Sequence, residues 1–142
     1  MKNTIIPTRI PKSYFCVQKS QKPESFAPIR LNTSQWMVSM HALGVTEAVL
    51  TAKHGCGFLL WNTSTTLPDG SPYAYHVPPE LNVLRQFTDA ADAAGIGHGF
   101  YYSLTNNFYL DVHSHYVQNS TLLPGQQRVT QQQFEAIALA QV

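Results

Sequence analysis

Glu47-Ala48-Val49-Leu50-Thr51-Ala52 is a short, mostly apolar run without polar alternation, the pattern of a parallel strand covered on both faces. Working back from it, Gly44 sits where a C-terminal glycine stops a helix. That helix has Trp36, Met37, Met40 and Leu43 at helical spacing, and Thr33 or Ser34 stands ready to cap it. Working forward, a polar loop from Asn62 to Pro79 leads to a second copy of the same unit. Glu80 opens a helix with Val83, Leu84, Phe87, Ala91 and Ala94 on one face, Gly95 closes it, and Gly97 to Ser103 reads as the next buried strand. A third helix runs from Thr130 through Phe134, Ile137 and Ala138, and the sequence stops at Val142 with that helical pattern still going. Helix, glycine, strand and loop in repetition predict an α/β fold with a parallel sheet. A closed (β/α)8 barrel needs about 250 residues, and these 142 supply two to three of its βα units. The fold is therefore a small open sheet or a part of a TIM barrel.

The segment 1–25 reads differently from 26–142. It holds Pro7, Pro11 and Pro23 among scattered Lys and Ser, with one short candidate strand at Tyr14-Phe15-Cys16-Val17. Nine Lys plus Arg against eight Asp plus Glu, with no run of like charges, give no electrostatic footprint for a nucleic acid or an acidic membrane surface. Phe58 to Trp61 and Ala136 to Ala140, the longest apolar stretches, are far short of the roughly 20 residues of a membrane span. Pro7 and Pro11 interrupt the N-terminus before a signal-peptide core forms, so no export signal is expected. Cys16 and Cys56 fit no zinc ribbon or redox spacing. Sequons at Asn32, Asn62 and Asn119 lean toward the secretory route.

Ligands of parallel α/β folds bind beyond the carboxyl ends of the strands. Two segments occupy that position. Lys53-His54-Gly55-Cys56-Gly57 puts a cation, an imidazole and a thiol beside glycines, and Tyr101-Tyr102-Ser103-Leu104-Thr105-Asn106-Asn107 is rich in donors and acceptors. Aromatic faces with amides and an imidazole suit a sugar, which offers an apolar ring face and directed hydroxyls. The plainer alternatives are a hydrogen-bonded structural role for His54, core packing for Trp61 and the tyrosine pair, and a small buried residue for Cys56. His54, Cys56, His113 and His115 are of the right types for zinc, with His113 and His115 pointing the same way on one strand, yet their spacing matches no zinc motif. Gly95-Ile96-Gly97-His98-Gly99 enters a strand instead of leaving one, which excludes a dinucleotide loop. No carboxylate follows a strand tip closely enough to be nominated as an acid or nucleophile.

Three segments in order, Phe26 to Trp36, Ala48 to His54 with Gly57-Phe58-Leu59-Leu60-Trp61, and Ala94 to Leu104, resemble the α-L-fucosidase family of glycoside hydrolases. The resemblance implies a retaining exo-glycosidase acting on terminal fucose of a fucosylated glycan, without a metal or organic cofactor, in a secreted or lysosomal/vacuolar setting. By the same resemblance His54 matches a histidine that hydrogen-bonds fucose hydroxyls, and Tyr102, or alternatively Tyr101, matches a tyrosine of the sugar pocket. Trp61 matches a motif tryptophan, and Asn106 joins His54 and Tyr102 as a candidate sugar contact. The family usually reads His-His-Asp where this chain has His54-Gly55-Cys56, and its His-Trp-Gly strand end has no counterpart in residues 1–25. The resemblance places the nucleophile and the acid/base residue on strands beyond Val142, after the helix in which this sequence ends. The expectation is a partial barrel, inactive alone, with no catalytic carboxylate of its own. A non-catalytic carbohydrate-binding or scaffold protein is the alternative.

Overall fold

Asn32 starts the first helix: its side-chain oxygen accepts from the Gln35 amide at 2.9 Å and caps α1, Thr33–Ala42. Thr33, one of the two caps expected, is instead buried inside the helix, where its hydroxyl donates to the Gln86 carbonyl at 2.9 Å and ties α1 to the next helix. The computed structural model describes Ser25, Phe26 and residues 28–142. The candidate strand Tyr14–Val17, and with it nearly all of segment 1–25, lies outside the described residues. Gly44, at φ +72°, turns the chain out of α1 as anticipated. Of the four apolar positions, Met37 is buried and Met40 packs partly, whereas Trp36 and Leu43 are exposed.

Strand β1, Glu47–Lys53, pairs in parallel with β2, Gly97–Tyr102, from Glu47 opposite Gly97 to Thr51 opposite Tyr101, and an irregularity then sets Lys53 opposite Tyr102. Between them runs α2, Val83–Ala93. Asn82 caps it by accepting from the Arg85 amide, while Glu80, the expected opener, sits in the short 3-10 turn Pro79–Leu81. Phe87, Ala90 and Ala91 of α2 bury against Met37, Ala48 and Ile96. One face of the strand pair is thus closed by α1 and α2. The other face is not: Val49 is 56% exposed and Tyr101 47%. The expectation of strands covered on both faces is corrected accordingly, because no second layer lies over that face among the described residues.

A second core forms around α3, Gln131–Gln141, whose Phe134, Ile137 and Ala138 are buried as the sequence pattern predicts. Thr130 and Gln133 make a reciprocal capping box at its start, and Val142 is the C-cap at its end, exposed to solvent. The partners of α3 are less legible in the sequence. Leu67 and Tyr73 come from the segment read as a polar loop, and Leu110 and Val112 from a compact stretch that ends in the hairpin β3, Val112–His113, and β4, Tyr116–Val117. Among the described residues the order is therefore α-β-α-β-hairpin-α, an α/β arrangement with one parallel strand pair.

The exits of β1 and β2 are held together by one side chain. Lys53, 1% exposed, donates from Nζ to the Ser103 carbonyl at 2.6 Å and the Asn106 carbonyl at 3.1 Å, and lies 4.6 Å from the Tyr102 ring centre. Burial lowers its pKa from the usual 10.5 to about 8, opposed in part by the nearby Cys56 thiol.

Phe87→Ala, at a position 1% exposed, is expected to destabilise the fold by about 3–5 kcal/mol, and Leu139→Ala on the exposed face of α3 by less than about 0.5 kcal/mol, both read from denaturant midpoints. For Lys53 the folded pKa lies below the unfolded value, so between about 8 and 10.5 the unfolded chain binds more protons and stability rises with pH. Wild type minus Lys53→Met, which cancels the tyrosine ionisation common to both, should show a relative gain of about 1–3 kcal/mol across that window. Parallel pH profiles would refute the assignment.

Candidate functional site

Beyond Lys53 the chain turns through His54-Gly55-Cys56-Gly57, and the segment after β2 is laced onto this turn by backbone bonds. The Phe108 amide donates to the Gly55 carbonyl at 2.8 Å and the Tyr109 amide to the Cys56 carbonyl at 3.1 Å. Glycines make the close approach possible. A Cβ on Gly55 would stand 3.1 Å from Asn106 Cβ, and one on Gly57, at φ +90°, would stand 2.1 Å from Asn107 Oδ1. Beneath them Tyr73 donates its hydroxyl hydrogen to the Gly57 carbonyl at 2.7 Å, and Asn107 Nδ2 donates to the Tyr73 oxygen at 3.2 Å. Burial drives the Tyr73 pKa well above its ordinary value, so the phenol stays a proton donor.

His54 is exposed at the tip of this turn, its ring centre 6.5 Å from that of Tyr101. It stands at the rim of a hollow of about 500 Å³, whose lining includes Gly55, Asn106, Phe108, His113 and Gln118. Asn106 shares the hollow with its amide partly engaged: Oδ1 accepts from the Ser114 amide at 3.0 Å and one hydrogen of Nδ2 goes to the Thr105 hydroxyl at 3.1 Å. It thereby holds the hairpin to the strand exit.

Tyr102 and Trp61 form a separate, half-buried aromatic group with ring centres 6.5 Å apart, and neither lines the hollow. The Tyr102 hydroxyl donates to Gln141 Oε1 of α3 at 2.7 Å, and burial pushes its pKa up to about 12. Trp61 packs against the core around α3. Successive strand residues point to opposite sides, so the tyrosine pair divides. Tyr101 stands beside His54, and Tyr102 reaches back to the helix layer. Val142, the position past which the resemblance sets the catalytic carboxylates, follows Gln141 directly and is 87% exposed. It lines no part of the hollow.

Reading residues in sequence order misses three features. Lys53 is visible as a cation closing an apolar run, but its carbonyl partners lie 50 and 53 positions away. Phe108 and Gln118 belong to a stretch without helical periodicity, and His113, offered by the sequence only as a zinc ligand, joins them in lining the hollow. Asp111, at φ 55° and 8% exposed, also lines the hollow, accepting from the Ser120 amide and hydroxyl with Arg128 at 3.6 Å. That carboxylate braces the wall. The zinc constellation is not assembled: His113 ends β3, His115 sits at φ 74° in the turn, and Cys56 is buried. No three His, Cys, Asp or Glu side chains among the described residues are grouped to hold a metal ion.

A sequence profile of the alpha-L-fucosidase family matches residues 13–142. Alpha-L-fucosidase 1 of Arabidopsis thaliana is 36% identical over 85 residues, covering 57% of this chain and 16% of that protein. Among solved structures, alpha-L-fucosidase isoenzyme 1 from Paenibacillus thiaminolyticus superposes with a TM-score of 0.63 at 23% identity, over 83% of this chain and 28% of its own. An alpha-L-fucosynthase from Thermotoga maritima, in complex with a fucosyl-fucose azide, gives a TM-score of 0.60 at 20% identity, over 84% of this chain and 26% of its own. The chain thus spans about a sixth of its curated relative. At these identities the two structures speak for the fold, and the profile, which takes in more than half of the sequence, speaks for descent. This chain belongs to the alpha-L-fucosidase family of glycoside hydrolases.

Proposed function

We propose that these residues build the fucose-facing part of an α-L-fucosidase barrel, two to three βα units of it, and bind the terminal fucose of a glycan. The observation that carries this reading is the exposed imidazole of His54 at the carboxyl end of a parallel strand, on the rim of a hollow, in a chain of fucosidase descent. Barrel enzymes work at that end of their strands. His54 would exchange hydrogen bonds with ring hydroxyls, and the exposed Tyr101 ring would lie against the apolar side of the sugar. Tyr102 and Trp61 would act from behind, keeping the strand exit rigid. Asn106 would fix the loop through bonds it already makes, with one amide hydrogen left for a ligand.

A retaining glycosidase needs two carboxylates, one to attack the anomeric carbon and one to protonate the leaving oxygen. The resemblance would set those groups on strands after a helix matching α3, beyond Val142. Asp111, the carboxylate nearest the candidate site, is committed to Ser120 and Arg128. A polypeptide of these 142 residues would therefore bind a fucoside without turning it over. Exposed sequon asparagines at positions 62 and 119 agree with a secreted or lysosomal/vacuolar parent.

Titrating fucose into the isotope-labelled chain should give saturable shifts at His54 and Tyr101, and His54→Ala should weaken binding by about tenfold or more. Identical titrations of wild type and variant would sink the sugar reading. Aglycone release from an aryl fucoside should not exceed the buffer rate. Release above it that survives repurification would mean a competent carboxylate lies within these residues.

A further inference from the structure

Asparagines 32, 62 and 119 each begin an Asn-x-Ser/Thr triplet, and the fold treats the three differently. Asn32 is committed to α1: its Oδ1 accepts from the Gln35 amide at 2.9 Å, and the middle residue of its triplet, Thr33, is buried and bonded to the Gln86 carbonyl. A glycan on Asn32 would have to leave from the seam between α1 and α2. Asn62 is exposed, but the chain beside it is folded on itself, with the Thr63 hydroxyl accepting from the Thr65 amide at 3.1 Å and donating to the Thr65 hydroxyl at 2.9 Å. Both of these triplets end in serine. The glycosyl transferase reads the hydroxyl of the third residue. Branched threonine has fewer rotamers to give up than serine and presents that hydroxyl at lower cost.

Asn119-Ser120-Thr121 differs on each count. It ends in threonine, and the side chains of Asn119 and Thr121 are exposed and make no hydrogen bond among the described residues. Asn119 lies outside every helix and strand at φ 53°, a left-handed conformation that asparagine tolerates better than most residues with a side chain. Its neighbours are fixed instead. The Gln118 amide donates to the Asp111 carbonyl at 2.9 Å, and the Ser120 amide and hydroxyl donate to the Asp111 carboxylate at 2.9 and 2.8 Å. Arg128 Nη2 in turn donates to the Ser120 carbonyl at 2.6 Å. Asn119 is thus the apex of a short arch with both feet on Asp111, and a bulky group on its Nδ2 displaces no partner among the described residues. Transfer takes place on the extended chain before such bonds form. What the fold decides is whether the product can be accommodated, and the arch accommodates it.

We propose that Asn119 is the acceptor of an N-linked glycan when this chain enters a secretory lumen. The amide nitrogen of Asn119 bonds to the anomeric carbon of an oligosaccharide carried on a lipid diphosphate, and the bond from that carbon to the phosphate oxygen breaks. The lipid diphosphate leaves with the electron pair, and the amide gives up one proton. The assignment rests on the secretory setting proposed above and is independent of the fucose reading, since neither His54 nor a bound sugar takes part in it.

The full chain, expressed behind a cleavable export signal in a eukaryotic host, is expected to carry a mass increment that peptide N-glycanase removes, converting Asn119 to aspartate in the peptide map. Asn119→Gln and Thr121→Ala should each lose that increment, the second without altering the acceptor itself. Ser120→Ala breaks one foot of the arch but preserves the triplet, so it should keep the increment, and Asn62→Gln should keep it as well. The readout does not require the variants to fold, because transfer precedes folding. An unmodified Asn119 in chains recovered from the secretory compartments or the medium would overturn the assignment. So would an increment that survives Thr121→Ala, or one lost only with Asn32→Gln or Asn62→Gln. Failure of fucose to bind the same preparation bears only on the fucose reading.

Discussion

An ammonium group enclosed by carbonyl oxygens organises this molecule's working end. Lys53 closes an otherwise apolar strand, and its charge cannot be solvated there by water. The Ser103 and Asn106 carbonyls turn inward to meet it, and the face of Tyr102 supplies the third contact. A buried cation left without such partners would cost several kcal/mol. The demand runs outward: with its carbonyls drawn in, the segment after β2 lies close enough for Phe108 and Tyr109 to bond the turn after β1. His54 and the hollow take their positions from that closure.

Much of this arrangement is legible in residue order, for identifiable reasons. Gly44 and Gly95 stop helices because both take positive φ, and glycine tolerates it. The apolar run at 47–52 and the 3.6-residue pattern of Val83, Phe87 and Ala91 are strong local signals, and both elements stand where the pattern puts them. The caps differ from expectation by one or two positions, since Asn32, Thr33 and Ser34 are all competent and the choice is made by Thr33 reaching Gln86, 53 residues away. The stretch 62–79 is polar in composition, yet its few large residues are those that bury. Tyr73 is fully enclosed because its hydroxyl finds Gly57 and Asn107.

The site is legible in part. A histidine directly after a strand is an inference from topology, and the ring lies at the exposed tip where topology demands. Alternation divides the tyrosine pair, but which ring stands beside His54 is undecidable from sequence, because local order does not say which face of β2 the helices cover. The irregularity between Thr51 and Lys53 is likewise silent in sequence, and the extra residue in β1 brings Lys53 opposite Tyr102. The hairpin wall has no signature, for its backbone is held by side chains such as Asp111 and Asn106 and not by a repeating pattern. At Gly55, where the resemblance would set a second imidazole, Asn106 packs directly over the backbone.

The strand pair carries a directional constraint. Apart from a bridge between Lys53 and Leu59 at the tip, neither β1 nor β2 has a second neighbour among the described residues. Parallel strands cannot be joined by a tight turn, and each parallel addition to such a pair must travel the length of the sheet before entering from the same end. Parallel growth on either flank is therefore vectorial: every such strand delivers its exit, and whatever side chain it bears there, to the rim where His54 stands.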